Sequence, residues 1–254
     1  MRNLLARLAT VLGMLTLSGF LVPASASAAG NCSTWNYYQY GAYMGNSNNA
    51  SGSLADIQVR RSDLCSNPGS HSSLGASWSM LAAGNAASYA QIGWTRTKGH
   101  NGGDATFFYQ YRGAGENTHT DWWGNPSNGD EKRFKVTWLN GSGEDNDIHL
   151  FICDAGGGNC VDKQDTGLSP GGWTGGIYAL SKGEVNNRQT DMPGTDGARD
   201  NFNNLLQRIG TGPWEAHTLY ECDVDCPIDT DDNPPRFHFE WVSSDHFRIW
   251  TDPL

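Results

Sequence analysis

Few side chains in this sequence of 254 residues are placed to do chemistry. No Gly-x-Ser-x-Gly elbow presents a serine nucleophile. No His-Glu-x-x-His pair offers a zinc site, and no glycine loop with its lysine cradles a phosphate. The six cysteines, Cys32, Cys65, Cys153, Cys160, Cys222 and Cys226, are even in number and suit disulfides. They lack Cys-x-x-Cys spacing, and no histidine pair sits at ligand spacing, so no metal is expected. His71, His100, His119, His149, His217, His238 and His246 are scattered, and a lone strand histidine is more often packed than catalytic. Carboxylate and amide chemistry remains.

Two short segments stand out. In Tyr89-Ala90-Gln91-Ile92-Gly93-Trp94, strand alternation puts Ala90, Ile92 and Trp94 on one face and Tyr89, Gln91 and Gly93 on the other. Gly93 would let a ligand approach closely beside Gln91. The second segment is Gly183-Glu184-Val185, followed by Thr190-Asp191-Met192-Pro193-Gly194, which closes a strand and opens a turn-rich loop. Taken singly, a strand glutamine usually pairs with backbone or water, and a glutamate at a strand end is usually solvated.

The elements that must position these groups are short strands. Glycine is abundant, at 32 residues, and long helical periodicity is absent. Alternating or apolar runs between Gly, Asn, Ser and Asp turns predict strands over 56–60, 75–80, 89–96, 105–111, 132–140, 147–153, 176–185, 236–242 and 247–251. In Arg133–Trp138 the alternation sends Phe134, Val136 and Trp138 inward and Arg133, Lys135 and Thr137 outward. Asn140-Gly141 and 143–147 form the turn into the next strand, a hairpin. Asp200–Ile209 spaces Phe202, Leu205, Leu206 and Ile209 at three and four residues, so it reads as a short helix or equally a strand. The fold class is an all-β antiparallel sandwich, jelly-roll or lectin-like, with at most a short helix. A loop-rich N-terminal extension over 29–74 precedes a sandwich domain over 75–254.

The start of the chain reads as an export signal over 1–28. Arg2 and Arg7 precede an uncharged apolar run to Val22, and Ala24-Ser25-Ala26 and Ala26-Ser27-Ala28 are small-x-small cleavage sites. The run is shorter than the roughly 20 residues of a membrane span. The expected location is therefore extracellular, which favours disulfides. Of 15 pairings, the simplest is sequential: Cys32–Cys65, Cys153–Cys160 and Cys222–Cys226. Losing Arg2 and Arg7 takes the net charge from -10 to -12. That charge argues against a nucleic-acid partner, and no basic amphipathic stretch suits a membrane surface.

The segment Tyr89–Trp94 resembles the strand of neprosin-type peptidases in which an acidic residue precedes Gly-Trp. Gly183-Glu184-Val185, with Met192 and Gly194 downstream and 202–209 beyond, is similar to that family's second catalytic segment. The wider clan includes the fungal glutamic peptidases, β-sandwich enzymes that pair a glutamine with a glutamate in that chain order. The resemblance covers about residues 75–210. It implies a Gln91/Glu184 dyad, with Gln91 where neprosins carry glutamate. The neprosin activation domain and cysteine-rich C-terminus are not reproduced. In such a dyad Glu184 is the general base on water, and the Gln91 amide donates to the oxyanion. A carboxylate base titrating near 4.3 works best in acid, and no cofactor is needed. Tyr89, Trp94, Trp173 and Tyr178 are expected to line the cleft of a monomeric enzyme acting on peptides or proteins.

The alternative is a non-catalytic module that binds glycans or proteins, since flat aromatics stack on both. A polysaccharide-cleaving enzyme ranks third, because the Glu-x-Asp-x-Glu strand signature is absent. Asp223, Asp225, Asp229, Asp231 and Asp232 form an acidic loop that could hold Ca²⁺, although EF-hand spacing is missing and a solvated loop is the better reading. Trp122-Trp123 are expected in an exposed loop, where large aromatics suggest docking.

Overall fold

The computed structural model describes residues 49–61, 63–65, 74–98, 100–185, 190, 193–216 and 237–252 in full, and 38–44 and 219–220 by backbone. The expected export signal, Cys32, Cys222, Cys226 and the 223–232 acidic loop lie outside the described residues. Among the described residues sixteen strands follow in chain order: β1 Tyr38–Met44, β2 Ala50–Gln58, β3 Leu74–Ala83, β4 Tyr89–Thr97, β5 Ala105–Arg112, β6 His119–Trp123, β7 Glu131–Trp138, β8 Ile148–Asp154, β9 Val161–Asp165, β10 Ile177–Val185, β11 Gly194–Thr195, β12 Ala198–Ile209, β13 Trp214–Ala216, β14 Leu219–Tyr220, β15 Phe237–Ser243 and β16 His246–Thr251. They form two sheets. The first, of seven strands, runs β14-β1-β10-β3-β4-β5-β6. The second runs β15-β16-β11-β12-β2-β7-β8-β9, with β13 beside β12. Among the described residues, pairing between these strands is antiparallel except between β11 and β16, and an isolated bridge from Asn49 to Ile177 is also parallel. The expected β-sandwich is what forms, and each of the nine expected strands overlaps an observed one.

The two inner faces make the core. Leu81, Ala90, Ile92 and Trp94 from the first sheet meet Ala55, Ile57, Phe134, Val136, Phe202 and Phe247 from the second, all fully buried. Burying one such side chain contributes roughly 1.5–3 kcal/mol. A polar seam crosses this core. Ser53 lies 2.7 Å from Ser79 and donates to the Leu180 carbonyl at 3.0 Å, and Ser77 donates to Asp200 at 2.6 Å. These bonds tie β2 and β12 to β3 and β10 across the sandwich.

Three expectations are sharpened here. The segment 29–74 is not merely a loop-rich extension: it contributes β1 and β2, and β2 sits between β12 and β7 near the middle of the second sheet. The expected strand over 56–60 is the far end of β2, and the small residues Ala50-Ser51-Gly52-Ser53 hid its first half from a hydrophobic pattern. Asp200–Ile209, readable as a short helix or equally as a strand, is strand. A register shift between Asn203 and Leu206, with Asn204 at φ 51°, inserts an extra residue. Phe202 and Leu205, three apart, then both face inward, and the bulge imitates helical spacing. Along β7, Phe134 and Val136 point inward as expected, but outward Thr137 is also buried. Its pairing partner is Gly52, and the Trp214 ring covers that glycine. The 139–147 turn joins β7 to β8 as expected, closed by a bond from the Leu139 amide to the Asp147 carbonyl. Cys153 and Cys160 form the predicted disulfide, and Cys65 is disulfide-bonded as well.

Candidate active site

The outer face of the seven-stranded sheet collects the candidate residues. On β10 the inner positions are Ile177, Ala179 and Val185, so Tyr178, Leu180, Lys182 and Glu184 face outward. By the same alternation β3 shows Ala76, Trp78, Met80 and Ala82 outward, β4 shows Tyr89 and Gln91, and β5 shows Phe108 and Gln110. Trp78, Phe108, Leu180, Ala76 and Ala82 form a second apolar cluster on this face, flanked by Tyr89 and Tyr178.

Polar groups stand on that apolar floor. The Gln91 amide donates through Nε2 to Gln110 Oε1 at 3.1 Å, and the Tyr89 hydroxyl donates to the same oxygen at 2.8 Å. Gln110 Nε2 in turn donates to Thr120 at 3.1 Å. Glu184 Oε2 accepts from the Trp78 indole at 3.3 Å. Gln110 and Trp78 were missed from sequence. The alternation of β5 could have flagged Gln110, since it pairs directly with Gln91.

Gln91 and Glu184 therefore share one face, as the dyad requires. Their register is less close. Gln91 lies opposite Met80, and Met80 opposite Leu180, whereas Glu184 lies opposite Ala76, itself opposite Thr95. Glu184 thus stands two strands away and four residues out of step. In a flat sheet that offset is about 16 Å between Cα atoms, from a rise of about 3.3 Å and a spacing of about 4.8 Å. The residue in the row of Gln91 on β10 is Leu180.

Of the expected cleft residues, Tyr89 and Tyr178 lie on the outer face that carries Gln91, packed against its apolar cluster. Trp94 does not: it is fully buried between the sheets, because it alternates with Gln91 rather than sharing its side. Trp173 packs against the inner core, not against the outer cluster. Gly93 has a use other than ligand approach. A Cβ there would come within 2.1 Å of the Ser77 carbonyl oxygen, so the missing side chain accommodates β3. Trp122 and Trp123 belong to an edge strand, not a loop. Trp123 turns inward against Phe107 and Tyr109, while Trp122 is 42 % exposed and lies 4.7 Å from the His100 ring.

Behind Glu184, on the inner side, lies Asp200. It is fully buried, and burial pushes its carboxyl well above the usual range against the opposing pull of the Ser77 bond. One of its oxygens, Oδ1, has no partner. A raised carboxyl in the folded state adds stability that is complete below the ordinary value of 3.8 and is lost as pH rises toward the folded value. The slope reaches about 1.4 kcal/mol per pH unit for one proton. Asp200→Asn keeps an oxygen for Ser77 and removes the titration, so its unfolding free energy should lose this slope and exceed wild type near neutral pH. Urea unfolding at several pH values checks this; an unchanged slope in the variant would refute it.

No family model matches the chain, and no curated protein matches its sequence. Solved structures do match in fold. Scytalidoglutamic peptidase bound to a peptide-based transition-state analogue superposes with a TM-score of 0.54 at 14 % identity, over 86 % of this chain and all of that one. The same peptidase with a transition-state analogue inhibitor gives 0.53 at 12 % identity, over the same shares. SCP-B, a member of the eqolisin family of peptidases in complex with the tripeptide Ala-Ile-His, gives 0.50 at 11 % over the same shares. This chain has the sandwich fold of the glutamic peptidases.

Proposed function

We propose that this chain is an exported, monomeric glutamic-type endopeptidase that hydrolyses peptides in acid. One observation carries the reading: Gln91 and Glu184 stand on the same face of the sheet, in the fold of known glutamic peptidases. The Gln91 amide keeps one N–H beyond its bond to Gln110, which serves an oxyanion. Glu184, held by Trp78, takes a proton from water and returns it to the leaving amine. Tyr89, Tyr178 and Phe108 flank an extended substrate. The neprosin-like motifs at 89–94 and 183–194 belong to the same reading. Casein or peptide hydrolysis at acidic pH, compared between wild type and Glu184→Gln, tests it. Equal rates would overturn it.

A second reading has its own observation. Leu180, not Glu184, occupies the row of Gln91, so the face binds extended peptides without cutting them. An inactive wild type that still binds peptides favours this reading. Leu180→Glu is then expected to create acid hydrolysis, because it places a carboxylate two strands from Gln91 and in step with it, about 10 Å between Cα atoms.

A further inference from the structure

A second group of donor side chains lies on the outer side of the other sheet, unconnected with Gln91 and Glu184. His149 on β8 is 7 % exposed. Its Nδ1 is 2.6 Å from Asp162 on β9, and its Nε2 is 2.8 Å from Asp145 in the β7–β8 turn and 3.9 Å from Asp165 at the end of β9. The ligand atoms of Asp145, His149 and Asp165 all lie within 4.8 Å of one another. Ligand atoms on one tetrahedral ion, with bonds of about 2.0–2.2 Å, lie about 3.3–3.6 Å apart, so the exposed aspartates need to close in by only about an ångström.

We propose that Asp145, His149 and Asp165 bind a divalent transition-metal ion of the zinc class. The donor set is one imidazole nitrogen and two carboxylates, which suits that class better than calcium or magnesium. Asp162 supplies what a metal-bound histidine ordinarily has, a carboxylate on the other ring nitrogen that fixes the ring and its tautomer. Asp165 pairs with His149 in register across the β8–β9 ladder, so the strand pairing itself holds two of the three donors on one face. The two aspartates are exposed, so an ion can enter from solvent. Binding replaces the Nε2 proton, which leaves to water, and Asp145 exchanges a hydrogen bond for a metal bond. The ion then ties the β7–β8 turn and β8 to the edge strand β9.

Calorimetric titration of Zn²⁺ into the metal-stripped chain near neutral pH tests this without reference to peptidase activity. One ion per chain is expected, with an increase in the thermal midpoint of wild type. Asp145→Asn and Asp165→Asn, both at exposed positions, are expected to bind at least about tenfold more weakly, and His149→Gln to lose the site. No binding by wild type overturns the proposal. So does binding of equal affinity in Asp165→Asn or His149→Gln, and so does Ca²⁺ binding as tight as zinc that survives His149→Gln.

Discussion

Glu184→Gln is expected to lower acid peptide hydrolysis by roughly 10²- to 10⁴-fold, the usual range for removing a general base. The amide is nearly isosteric and can still accept from Trp78, so the fold and peptide binding should survive. The loss should therefore fall on kcat rather than KM. Gln91→Ala removes an oxyanion donor instead, with an expected loss of about 10²–10³ in kcat. Steady-state kinetics with a fluorogenic peptide separate the two. If Glu184→Gln keeps wild-type rates, catalysis by this carboxylate is excluded. If neither protein cuts but both bind, the register offset between Gln91 and Glu184 is the physical reason. A water held by Gln91 would then have no carboxylate within reach on β10, because Leu180 occupies that row. Leu180→Glu is the converse experiment, since it supplies the charge where the row requires it.

Asp56→Ala is expected to remove about 3–5 kcal/mol of stability, the range for breaking a buried ion pair from one side. Asp56 is 2 % exposed and faces outward from the centre of the second sheet. Its carboxylate accepts from Arg133 through Nε at 2.6 Å and through the guanidinium at 3.0 Å. It also accepts from the Gly156 amide at 3.0 Å and from Asn204 Nδ2 at 2.7 Å. One side chain thus joins β2, β7, the loop closed by Cys153–Cys160 and the bulge of β12. Alanine leaves a largely buried guanidinium and two N–H donors without their acceptor. Asp56→Asn should cost less, because it keeps one oxygen. Urea midpoints near neutral pH measure both, and a loss below about 1 kcal/mol for alanine would show that water satisfies these donors.

Part of this protein was legible before its structure. Alternation in 89–96 and 132–138 gave the strands and their inward faces, since side-chain direction in a strand is local. The turn at 139–147 and the Cys153–Cys160 bridge were legible for the same reason: their partners lie a few residues apart. Trp94 was misassigned to the cleft although that same alternation places it opposite Gln91. Other features were not local. Only the end of β2, at 56–58, was legible, because the burial of its first half comes from being central, not from large apolar residues. The bulge in β12 gave a strand the apolar spacing of a helix.

The candidate site divides the same way. Sequence determined the residue types, Gln91 and Glu184, and the alternation that separates Gln91 from Ala90, Ile92 and Trp94. Only the tertiary structure decided that the two share a face and in what register, because β10 reaches β3 from about a hundred residues away and slides into place through backbone bonds blind to side-chain identity. Those bonds put Leu180 in the row of Gln91 and Glu184 beside Trp78. They likewise brought Asp145, His149, Asp162 and Asp165 together from a turn and two strands, so that a histidine with no sequence signal became the centre of a cluster.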